Sequence, residues 1–215
     1  ETDISTVTLS AITGNISNWE SRSGTYSVTN QAGIVFNWVV PSDWAITAGQ
    51  GTNQITVTYG AESGAVSVLG SNACGNSPAV SLDVEIKRAF VTTWKTNNPG
   101  VTGSTSIRIP MYYGGYDCVI DWGDGTTSNY VKASTFTSTH YIDKQYSVAG
   151  TYTVKITGDF PSIRFTNGGD RQKILTVQQW GDVIWGKSNV SESSASTGSL
   201  SHSFFGCINL NVVAS

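Results

Sequence analysis

YDCVIDWGDGT, residues 116–126, is the stretch whose reading decides the fold. Its first seven residues alternate, so Cys118, Ile120 and Trp122 share one face of an extended strand while Asp117, Val119 and Asp121 share the other. Gly123 and Gly125 then allow backbone angles that side chains disfavour, and the Asp124 carboxylate is placed to accept an amide two residues on, as in an Asx turn. The stretch therefore reads as a strand closed by a tight turn. Cys118 is expected as a buried thiol, Trp122 as a plug at the end of a sandwich, and Asp124 as a cap on the amides of Thr126 and Thr127. A calcium site is the competing reading, with Asp117, Asp121 and Asp124 offering hard oxygens along one edge. That ion takes roughly six to eight ligands, so the turn is the preferred role.

Outward from this stretch, the same period of two recurs in IVFNWVV (34–40), QITVTY (54–59), GAVSVL (64–69) and AVSLDVEI (79–86), separated by Gly- and Asn-rich turns. IKRAF (86–90) interrupts the alternation before a second series in FVTTW (90–94), SIRIP (106–110) and GTYTVKI (150–156). No amphipathic helix of three turns stands out before residue 170. Charged residues make up 13% of the chain against about 25% in ordinary domains, which suits an all-β text rich in Gly, Ser, Thr and Asn. With 215 residues the chain has room for two small sandwiches. The expected division is a β-sandwich over 1–87, a second over 88–159 and a distinct segment over 160–215.

Together with YSVAGTYTV (146–154), the aromatic followed by GDG resembles the PKD domain family, whose pattern continues with Y-x-x-x-G-x-Y-x-V. The resemblance covers about residues 88–158 and implies an immunoglobulin-like sandwich held by Trp122, Gly123, Asp124, Gly125, Tyr146, Gly150 and Tyr152. Ile120 stands where many members carry Trp, Lys144 where they carry His, and His140 lies outside the pattern. In the first module YSV (26–28), FNWVVP (36–41) with Trp38, Trp44, GQGT (49–52), ITV (55–57) and NACG (72–75) resemble the PKD-like sandwich repeated in tandem in Bacteroidetes surface proteins. Such modules often have a cysteine in the opening strand, where Asn18 and Trp19 stand here, so Cys74 lacks the partner that the resemblance implies.

Phe204, Cys207 and Leu210 fit F-x-x-C-x-x-L, which is similar to the repeats of BspA-like leucine-rich surface proteins. The three resemblances imply an all-β chain: two immunoglobulin-like (PKD) sandwiches in tandem, followed by the start of a leucine-rich-repeat solenoid. A single repeat does not bury its own apolar face, so the natural polypeptide is expected to continue past Ser215. Glu1 opens without a basic segment leading into an apolar one, which reads as a mature or trimmed start. The Ser-rich NVSESSASTGSLSHS (189–203) reads as a loop.

Neither histidine, His140 or His202, accompanies a G-x-S-x-G elbow, and Glu20, Glu62, Glu85 and Glu192 fall in separate turns or edges. Neither a Ser-His-Asp hydrolase nor a paired-carboxylate glycosidase is therefore indicated, and no cofactor is expected. A net charge of -3 with no Lys or Arg run argues against nucleic acid, and no apolar run reaches the roughly 18 residues of a membrane helix. The three cysteines lie too far apart to read as a zinc site and are odd in number for a disulfide framework. Seven tryptophans raise the question of sugar stacking, yet Trp38 and Trp122 fall on core faces; Tyr112, Tyr113 and Tyr116 form the best candidate for an exposed ligand-binding cluster. The expected role is non-enzymatic: spacer modules of a secreted or cell-surface bacterial protein that present a repeat domain to an extracellular protein or glycan. The alternative is an ancillary carbohydrate-binding unit of a secreted polysaccharide-degrading enzyme.

Overall fold

Each alternating run named above becomes a strand, and the computed structural model contains no helix among the residues it describes, 7–112, 115–132, 140–183 and 203–213. The chain divides between Arg88 and Ala89 into two units, Glu1–Arg88 and Ala89–Ser215. The Ser-rich stretch up to residue 202, Tyr113 and His202 lie outside the described residues.

The first unit carries β1 (Thr13–Gly14), β2 (Ser17–Trp19), β3 (Ser23–Ser27), β4 (Val35–Val39), β5 (Ala45–Ala48), β6 (Gln54–Thr58), β7 (Gly64–Asn72), β8 (Gly75–Asn76) and β9 (Val80–Lys87). They form two sheets ordered β1-β3-β6-β5 and β2-β9-β7-β4, with β8 added to β7. Pairing is antiparallel except between β2 and β9, which run parallel. Alternation sets the phase: Phe36 and Trp38 of β4, Ile55 and Val57 of β6, and Val66 and Val68 of β7 are buried, while Val35 and Val39 face outward.

GQGT acquires a physical meaning here. The Gln50 side chain accepts the Trp38 amide at 3.1 Å and donates to the Trp38 carbonyl at 2.9 Å, while Phe36 and Gly51 exchange backbone bonds of 3.3 and 3.1 Å. The outer edge of β4 is thereby closed without another strand. Gly49 has φ +84°, and a Cβ there would sit 2.0 Å from the Gln54 carbonyl oxygen, so only glycine brings the loop this close. Trp38 is 2% exposed and its indole donates to the Thr52 carbonyl at 2.8 Å, fixing the ring in the core.

The second unit carries β10 (Phe90–Lys95), β11 (Ser106–Met111), β12 (Tyr116–Asp121), β13 (Thr127–Lys132), β14 (His140–Gln145), β15 (Thr151–Asp159), β16 (Ile174–Gln179) and β17 (Asn211–Val212). Its main sheet runs β13-β12-β15-β10-β16-β17, and β11 pairs with β14 in a second sheet. Residues from 160 onward, set apart by the sequence as a distinct segment, contribute to this same sheet. β10 has two faces and two sides to satisfy: β15 covers one side and β16 the other, so Phe90 to Trp94 are all buried. Phe160, Ile163, Phe165, Ile174 and Val177 are buried as well. β17 then lies parallel to β16, reached through turns in which the Cys207 amide bonds the Phe204 carbonyl and the Leu210 amide the Cys207 carbonyl, each at 3.1 Å.

Cys118 is buried in β12, Cys74 is exposed and Cys207 half-buried, and no disulfide joins them. Burial pushes the Cys207 thiol up to about 12. A thiol reagent is expected to modify Cys74 rapidly in the native protein and Cys118 only as fast as the second unit opens. Peptide mapping of the labelled cysteines checks this, and prompt labelling at Cys118 would contradict the strand phase.

Candidate functional site

The WGDGT turn joins β12 to β13 and is closed by its own carboxylates. The Gly123 amide donates to Asp121 at 2.9 Å, and Asp124 accepts both the amide (3.0 Å) and the hydroxyl (2.6 Å) of Thr126. The Trp122 amide donates to the Thr126 carbonyl at 3.1 Å. The second Asp124 oxygen is held by Lys144 at 2.8 Å, in place of the Thr127 amide that the sequence suggests. Lys144 comes from β14 in the other sheet, so this contact ties the two sheets together at one end of the sandwich. Its ammonium also donates to the Thr126 hydroxyl at 2.6 Å and lies 5.3 Å from the Tyr146 ring and 5.9 Å from the Trp122 ring. Gly123 (φ +73°) could not be another residue, since a Cβ would stand 2.3 Å from the Thr153 carbonyl oxygen; Gly125 (φ +82°) has open space around it.

The rest of the motif is spent inward. Trp122 is 1% exposed and its indole donates to Ser128 at 2.9 Å. The Tyr146 hydroxyl donates to the Trp122 carbonyl at 3.1 Å, and its ring stacks on Tyr152 at 3.7 Å with 13° between planes. The Tyr152 hydroxyl donates to the Val148 carbonyl at 2.8 Å, and the Gly150 amide donates to the Thr96 hydroxyl at 3.0 Å.

Lys144, with help from Thr126, holds the Asp124 carboxyl down to about 2. Its folded-state pKa lies below the unfolded value, so the contact stabilises the protein above about pH 4 and the contribution fades as pH falls toward 2. The wild type should lose melting temperature across that window more steeply than Asp124→Asn, whose amide does not titrate. Parallel thermal melts from pH 5 to 2 read the difference; superimposable curves would mean the ion pair carries no net stability.

Two of the three carboxylates of the calcium reading have partners within the protein. Asp121 and Asp124 already serve amides and an ammonium, and among the described residues no three His, Cys, Asp or Glu side chains gather in a way that would hold a metal. The tyrosine cluster is corrected in part. Tyr116 is 1% exposed, its ring against Phe160 at 5.5 Å and its hydroxyl within hydrogen-bond distance of two carbonyls, Ser162 at 2.8 Å and Tyr112 at 3.0 Å, so it offers no face to a ligand. Tyr112 is half-buried, with the Arg164 guanidinium 4.4 Å from its ring centre.

The most unusual polar group was not singled out in the sequence. Asp170 and Lys173 are completely buried, 3.8 Å apart. Asp170 accepts the amides of Val101 (2.8 Å), Thr102 (3.1 Å) and Arg108 (2.7 Å) and the Thr102 hydroxyl (2.5 Å). Lys173 donates to the carbonyls of Thr102 (3.0 Å), Gly103 (2.8 Å) and Ser106 (2.8 Å). Burial lowers the Lys173 pKa, and Asp170 opposes that shift. Arg108 and Ser106 belong to β11, so the pair does for that strand's outer edge what Gln50 does for β4. The signal in the sequence was GGDRQK, an acid and a base three residues apart just before the apolar ILTV.

Residues 5–84 match the model of the PKD-like domain. Over those residues the first unit is similar to that domain. A three-domain immunoglobulin structure of titin is similar at 15% identity with a TM-score of 0.26, covering 66% of this chain and 62% of that one. The Bacteroides ovatus protein SGBP-B of a mixed-linkage glucan utilization locus, solved with a mixed-linkage heptasaccharide, is similar at 11% identity with a TM-score of 0.22, covering 67% of this chain and 51% of that one. The chain thus spans less than two thirds of either solved chain. No curated protein matches its sequence.

Proposed function

We propose that this chain is a non-catalytic part of a secreted or cell-surface bacterial protein, in which two β-sandwich modules act as spacers that present a repeat region for adhesion to a protein or glycan. The observation that carries the reading is where the motif side chains go. Asp124, Trp122, Tyr146, Tyr152 and Trp38 are all engaged within their own unit, holding turns, sheet ends and edges. The FFGCINL turn leading into a strand parallel to β16 supports the repeat reading, because parallel strands linked by short turns are how repeat units stack.

A glycan array tests this against the alternative of an ancillary sugar-binding unit. The chain is expected to give no saturable signal. Saturable binding that disappears in Tyr112→Ala would overturn the spacer reading in favour of the sugar-binding one.

A further inference from the structure

A strand at the edge of a sheet exposes amides and carbonyls on which another strand can pair. Among the described residues, β1, β2, β8 and β17 are two or three residues long, and β5 is broken by a register shift between Ile46 and Ala48. β4 and β11 are sealed by the side chains described above. β13 and β14 keep an open side, each with six residues in unbroken register against one neighbour.

The ladder shows which groups of β13 are spent and which are open. The Trp122 amide bonds the Thr126 carbonyl at 3.1 Å and the Gly115 amide the Lys132 carbonyl at 3.0 Å, so Ser128, Tyr130 and Lys132 turn their backbone groups toward β12. Thr127, Asn129 and Val131 turn theirs outward, and among the described residues nothing bonds to them there. Their side chains are exposed and uncharged, Val131 to 71%. Neither a proline nor a bulge interrupts the strand.

We propose that β13 joins two copies of this chain into a dimer, pairing antiparallel with its own counterpart about a two-fold axis at Asn129. That register sets Thr127 opposite Val131 of the other copy and Asn129 opposite Asn129, and each such pair exchanges two backbone hydrogen bonds. On the outer face Val131 gains the Thr127 methyl beside it, and the two Asn129 side-chain amides meet as donor and acceptor. On the other face Tyr130, whose ring meets Tyr116 at 5.9 Å, falls opposite Ser128, and Lys132 opposite Thr126. No like charges oppose each other in this register. β14 fails the same test, since full overlap of residues 141–145 would set Asp143 against Asp143. A strand of any sequence could take the backbone bonds; the fit of β13 to itself is what selects a second copy. Two chains joined side by side would present two repeat regions together, a use that rests on the spacer reading, whereas the pairing does not. Glycan binding would overturn that reading and leave the dimer standing.

The test measures the mass of the full chain by sedimentation equilibrium, with Cys74 and Cys207 changed to Ser so that no disulfide links copies. The mass is expected to double between low and high micromolar concentration. Asn129→Pro removes an outward amide that β12 does not use and should leave a monomer. Charge variants at exposed positions read the register without touching the core. Thr127→Lys with Val131→Lys sets like charges opposite each other across the two-fold and should weaken the dimer about tenfold or more. Thr127→Glu with Val131→Lys sets opposite charges in the same places and should restore it. Thermal melts at low concentration check that each variant folds as the wild type does. A dimer that survives the Lys–Lys variant, or one that the Glu–Lys variant does not restore, overturns the proposal. So does a chain that stays monomeric throughout, which leaves the edge to a strand of a different protein.

Discussion

Alanine in place of Asp170 is expected to destabilise the second unit by about 3 to 5 kcal/mol, a large share of the roughly 5 to 15 kcal/mol that holds a domain together. The loss is that of a buried cation left without its anion, plus three backbone amides left without an acceptor. Urea unfolding followed by intrinsic fluorescence reads it as a lowered midpoint for one unit with the other unchanged. The double variant Asp170→Leu with Lys173→Met sharpens the point. A buried ion pair that only balances its own charges is often replaced by apolar residues at little cost. Here the same two side chains close the β11 edge and the 101–103 backbone, so the double variant should be nearly as unstable as Asp170→Ala. Recovery to wild-type stability would show that the backbone finds other partners.

Trp122→Ala should also cost about 3 to 5 kcal/mol, the usual range for emptying a large aromatic site. The indole is 1% exposed and bonded to Ser128, and its ring lies under Lys144. Its removal opens the end of the sandwich on the face it shares with Cys118, so the thiol should become reactive in the folded state. Trp122→Phe keeps most of the apolar volume and should recover much of the stability while losing the Ser128 bond. Urea midpoints and Cys118 labelling rates together check the plug; a Trp122→Ala protein within about 1 kcal/mol of wild type would refute it.

The longer strands were legible where they bury one face, because a period of two reports that face directly. Phe36 and Trp38, Ile55 and Val57, and Cys118 and Ile120 all follow it. Tyr116 was legible too: it is in phase with Cys118, and that phase outweighs the appearance of an aromatic cluster in YYGGY. What escaped depends on partners distant in the chain. β16 pairs with β10, some eighty residues earlier, and no local pattern in ILTVQQ names that neighbour. Lys144 stood out only as a departure from a family histidine, because its reach to Asp124 depends on the register that sets Asp143 opposite Arg108. Asp170 and Lys173 went unread for the same reason: GGDRQK marks an acid and a base, but charges in a turn ordinarily face water.

Closing a strand edge with a side chain has a consequence for how such modules are made. Sandwiches of like fold joined head to tail emerge from the ribosome one after another, each at high local concentration of its neighbour's unpaired strands. An open β4 or β11 would be a template on which the next module's strand could pair wrongly before its own partners were synthesised. Gln50 and the Asp170–Lys173 pair are supplied from within each module, from residues 12 and about 60 positions downstream of the edges they seal. The residue that seals the first edge is therefore translated soon after that edge, and the pair that seals the second only when its module is nearly complete. An edge left open during synthesis would stay so longer at β11, until residue 173 is added.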